Sequence, residues 1–200
     1  MDKQQSNSAA PETADSDVIA RVLAQNAAGY EAAEVAGMAV TGYILAALAF
    51  MWTGIIYWSG YHIKSAPDRD SMTLITVGLV ACNAIVTLGL SWLIGKYHML
   101  AAKLLFAMMV VIIVHNFVVG LMAEDVAWFS LVLPMLVGLM VLSRLYPGLG
   151  SLAELQKKHL ADYTVTGVEK GISRLFYTFA LVLILVSFLD IVFVFSGFEG

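Results

Sequence analysis

Five stretches of this chain are nearly unbroken runs of apolar residues, separated by short polar breaks. A helix needs about 20 apolar residues to cross the hydrocarbon core of a bilayer. The runs at 37–59, 71–94, 100–122, 126–146 and 173–196 meet that length. None alternates with the period of two that a membrane barrel strand requires. The pattern therefore predicts an all-α, polytopic membrane protein, a bundle of five transmembrane helices.

The breaks carry the residues that end helices. Gly60 and Pro67 lie between the first two runs, Gly95 follows the second, and Glu124-Asp125 sit between the third and fourth. Pro147, Gly148 and Gly150 read as the stop of the fourth. Two polar-rich segments outside the spans also read as helical. Residues 16–36 are rich in helix-favouring Ala, Glu and Gln, and form a cytoplasmic or interfacial helix that can run into the first span. Residues 151–163 open with Ser151 and Glu154 in capping-box spacing, and carry Leu152, Leu155 and Leu160 on an amphipathic cytoplasmic helix. Residues 1–15 read as a disordered cytoplasmic tail, too polar to bury anything. They lack the basic start and apolar core of a cleavable signal.

Composition agrees with the pattern. Mean hydropathy is +0.83 and only 13% of residues are charged, against about 25% in an ordinary soluble domain. The lipid bilayer is thus the first partner. The net charge of −4 argues against nucleic acid. The single cysteine, Cys82, excludes an internal disulfide and a CxxC motif.

Charge placement sets the expected orientation. Lys3, Arg21, Lys96, Lys103, Arg144, Lys157, Lys158, Lys170 and Arg174 all fall on the side of the N-terminus, and only Lys64 and Arg69 on the other. Basic residues mark the cytoplasmic side. The N-terminus is expected in the cytoplasm and the C-terminus outside, by default in a bacterial inner membrane.

Chemistry rests on a few polar residues inside the spans. His115 lies about 10 Å and Asp190 about 9 Å from the outer ends of their helices, at 1.5 Å per residue. Those helices run in the same direction, so the two residues share a depth. An isolated Asp there costs at least about 2.5 kcal/mol and calls for a partner or water. A His–Asp contact can serve proton movement, or it can simply lock two helices together. Asn116 adjoins His115 but points about 100° away. Asn83, in the second span, is expected to bond across to another helix. These four are the candidate polar, proton-linked residues; no catalytic residue is assigned.

Cofactors and metals are not expected. A bis-His haem needs two histidines at one depth, and only His115 lies within a span, while His62, His98 and His159 lie outside the spans. No His/Cys cluster suits zinc. GxxxxGK[ST], HExxH and GxSxG are all absent. The small residues Gly42, Ala46, Ala49 and Gly54, with Gly78 and Cys82, mark faces for close helix approach, within the chain or against another subunit.

Three function classes remain. The first is a non-catalytic subunit or accessory protein of a larger membrane assembly, of transport, secretion or conjugation type, partnered by other membrane subunits or by its own copies. The second is a small transporter or channel using His115 and Asp190 as a protonatable pair. The third, an intramembrane enzyme, has only Ser187 near Asp190 in its favour.

Overall fold

The computed structural model describes residues 12–62, 69–122, 128–158 and 167–196. They form α1 (Glu12–His62), α2 (Arg69–Gly95), α3 (Met99–Met122), α4 (Trp128–Lys157) and α5 (Gly167–Ser196). The described residues contain no strand. All five helices are long and apolar enough to span a membrane, and the chain is a multi-pass bundle.

Contacts between helices close a ring in the order α1, α2, α5, α3, α4, with α2 and α3 also touching across it. Close approaches mark four sides of the ring. A methyl built on Gly42 would lie 1.9 Å from Ser91 Oγ, where α1 meets α2. One on Gly89 would lie 2.2 Å from the Phe176 ring, where α2 meets α5. Gly138 abuts Ile113 (α4 on α3), and Gly148 abuts Met38 (α4 on α1). The small-residue face of Gly42 and Ala46 therefore packs within the chain. Gly54 and Gly78 face open space and make no such contact.

The buried core gathers at one end, around the turn of Lys96, Tyr97 and His98. Val35, Met38, Leu90, Leu93, Leu105, Leu145 and Leu152 are all enclosed there. The turn is a Schellman-type cap: His98 N–H donates to Leu93 O (3.1 Å) and Tyr97 N–H to Ile94 O (2.8 Å). Tyr97 takes the left-handed conformation, φ 62°, normally left to glycine. The Gln156 side-chain amide donates to Tyr97 O (3.0 Å) and holds the turn against α4.

Two expectations about helix ends are corrected. Residues 12–15 are helical, so the N-terminal tail of 1–15 is not wholly disordered; residues 1–11 lie outside the described residues. Segment 16–36 runs unbroken into the first span as α1. Pro147 and Gly148 do not stop the fourth span, and no separate helix begins at Ser151: α4 runs through to Lys157. Residues 159–163 of the expected amphipathic helix lie outside the described residues. Packing explains the continuation. Leu145, Gly148, Leu152 and Leu155 recur every three or four residues and form one buried face. A proline inside a helix costs about 3 kcal/mol. Burying Leu152 and Leu155 returns about 1.5–3 kcal/mol each. Ser151 is accordingly no N-cap; its hydroxyl donates to Glu34 of α1.

Polar contacts staple this end. Lys96 pairs with Glu169 of α5 and lies 4.4 Å over the Trp92 ring. Lys158 reaches Glu31 of α1 at 2.7 Å, a bond that raises the lysine above its ordinary range. His98 Nδ1 lies 2.8 Å from the Tyr177 hydroxyl. Burial, and then the charge of Lys96, hold the His98 imidazole below its ordinary 6.5. The unfolded chain thus takes up that proton more readily. Stability should be complete above about pH 6.5 and fall as pH drops through the depressed value. Thermal melts of detergent-purified protein between about pH 8 and about pH 5 check this. His98→Gln should flatten the slope; an unchanged slope would assign it elsewhere.

Candidate functional site

The half of the bundle away from the turn is loosely closed. There the helices enclose a cleft of about 1020 Å³, with walls from all five helices. Its polar lining comes from Thr76 and Asn83 of α2, His115 and Asn116 of α3, and Ser187 and Asp190 of α5. The rest is apolar, apart from the indole of Trp52 on α1. The opening follows from the ring: α2 and α3 are tied at the turn, and the enclosed leucines lie at that end only.

His115 Nε2 stands 2.6 Å from Asp190 Oδ2. Both helices run away from the turn end, so counting along them brings the pair to one depth, and their facing surfaces bring it into contact. The contact supplies a polar tie on the α3–α5 side of the ring, where the other four sides have glycine approaches. With the carboxylate ionised, Nε2–H donates to Oδ2. With the proton on the carboxyl group, Asp190 O–H donates to Nε2 instead. One proton can therefore sit on either side of a single hydrogen bond.

The pair is not buried. The side chain of His115 is 28% exposed and that of Asp190 54%. The four candidate polar residues all line one open cleft, with Asn116 exposed and Asn83 half-buried within the bundle. The cause is the width of the cleft: it spans enough of α3 to take in His115 and its neighbour together. Among the described residues Asn83 makes no bond across helices, contrary to expectation. Its Oδ1 accepts from Thr87 Oγ1–H one turn along α2 (3.2 Å). Asn116 makes no hydrogen bond to the described residues.

No group of three or more His, Cys, Asp or Glu side chains converges as a metal site among the described residues. No family model, curated protein or solved structure matches this chain.

Sequence reasoning missed the stapled end. Lys96, His98, Glu31, Glu34 and Glu169 all flank spans; Lys96 was read only as a marker of orientation, His98 only as unsuited to haem, and the three glutamates carried no reading of their own. The signal that could have found them is opposite charge at the same end of different helices.

Proposed function

We propose that this chain is a non-catalytic integral membrane subunit of a larger assembly, of transport, secretion or conjugation type. One observation carries the reading: the described residues leave the cleft open, and the Asp190 side chain on its wall is 54% exposed. Intramembrane carboxylates face a bundle interior, a water-filled cavity or another chain. Only 11% of the α5 window is buried inside the bundle, which leaves its apolar faces open to lipid or to a neighbour. A photo-crosslinker at Leu185, on the exposed face of α5 and outside the cleft lining, should trap a second membrane chain in native membranes. The same probe at Leu145, in the core, should not. Absence of any crosslink from Leu185, with a monomeric chain in mild detergent, would sink the reading.

A second reading is a small proton-linked transporter, favoured by the 2.6 Å His–Asp contact on a cleft wall. Both readings share a proposed topology, N-terminus in the cytoplasm and C-terminus outside, in a bacterial inner membrane. It rests on the excess of Lys and Arg on the N-terminal side. Alkaline phosphatase fused to the C-terminus should be active and a fluorescent cytoplasmic reporter dark. The opposite result means a span has been miscounted.

A further inference from the structure

We propose that the cleft binds an amphipathic monocation, an apolar body with one positive head, which pairs with Asp190 in exchange for the proton held by His115. This goes beyond the subunit reading, because the walls belong to this chain whether or not a neighbour closes the mouth.

Three features select that chemistry. The first is size: about 1020 Å³ suits a body at the upper end of the range for small organic ligands. The second is the wall, mostly aliphatic, with aromatic faces from Trp52 and Phe193 that can lie against a cation. The third is charge. Among the described residues lining the cleft from α1 to α5, His115 and Asp190 are the only titratable ones, and none is Lys or Arg. An anion would meet a carboxylate with no lysine or arginine to offset it. A neutral apolar body leaves the carboxylate to His115 and draws nothing from it, whereas a monocation can replace the protonated imidazole as its counter-charge.

The exchange balances. With His115 protonated, the pair is neutral and the cleft has no place for a further positive charge. When the cation pairs with Asp190, His115 becomes neutral and one proton leaves to water. Asn83 and Asn116 supply amide oxygens to heads that carry N–H groups. Ligand binding and protonation of His115 are then mutually exclusive, and acidification weakens binding.

Equilibrium dialysis of the full-length chain in mild detergent against tetraphenylphosphonium tests this. That probe carries a permanent charge, so any pH dependence belongs to the protein. Saturable binding of one ion per chain is expected. Affinity should drop at least about tenfold in Asp190→Asn, and about tenfold per pH unit once His115 is protonated. Tetraphenylborate, similar in shape with the opposite charge, should show no saturable binding. Leu48→Trp, which narrows the cleft from the α1 wall, should weaken binding and keeps the test open if Asp190→Asn fails to fold. Equal saturable binding of the two ions, binding unchanged by Asp190→Asn or Leu48→Trp, pH-independent affinity, or no saturable binding would each overturn the proposal.

Discussion

Asp190→Leu is expected to destabilise the purified chain by about 0.6–1.7 kcal/mol, the range of interhelical polar contacts in membrane bundles. The variant removes the acceptor of His115 and with it the polar tie between α3 and α5. The loss should stay local. α5 is still held at its other end by Lys96–Glu169, by His98–Tyr177 and by Phe176 against Gly89. Asp190→Asn keeps size and hydrogen bonding while removing the charge, so its stability should remain near that of the parent. Melting in detergent measures both, and a cycle with His115→Leu isolates the pair. A coupling energy of zero would mean that the contact contributes nothing to stability. Function separates the two roles. If the pair only locks helices, Asp190→Asn keeps activity; if it carries protons, assembly survives and proton flux is lost.

The second large effect is expected at Gly42. A methyl there would lie 1.9 Å from Ser91 Oγ, 2.9 Å from Ser91 Cβ and 3.2 Å from Leu105 Cδ2. Ser91 is fully enclosed and its hydroxyl donates to Thr87 O at 2.6 Å, so it has no space to retreat. Gly42→Ala must push α1 away from α2, at about 1–3 kcal/mol for an overpacked contact. Adding Ser91→Ala should restore only part of this, because the Cβ contact remains. Gly54→Ala is the control: its methyl meets nothing within 4 Å, and Ala favours helix over Gly by about 0.8–1.0 kcal/mol. Equal losses from Gly42→Ala and Gly54→Ala in thermal melts would refute the packing account.

The spans were legible because bilayer thickness forces a run of apolar residues, whatever the neighbours do. The depth of His115 and Asp190 was legible for a related reason: rise per residue is fixed, so counting places a residue along the membrane normal. Rotation and lateral position are set by contacts between helices and do not follow from counting. Asn116 was therefore expected to turn away from His115, yet both line the cleft. The end of α4 shows the limit of local signals. Pro147, Gly148 and Gly150 form a breaker cluster by any local rule, but Gly148 is the residue that lets Met38 approach. The Ser151–Glu154 spacing matched a cap, while Ser151 was committed to Glu34 on a distant helix.

The extension of α4 has a mechanical consequence for α1. It grips α1 at Glu31 and Glu34, and α1 is most firmly packed just beyond, at Val35 and Met38. Before that grip, Val18, Ile19, Val22 and Leu23 are all exposed. From Glu12 to Tyr30 the helix projects about 28 Å, at 1.5 Å per residue. The grip is a fulcrum and the projection a lever arm. A tilt of about 10° at Glu31 swings the tip by roughly 5 Å, close to one helical pitch. A small rearrangement among the spans would thereby be magnified into a larger displacement at the tip of α1.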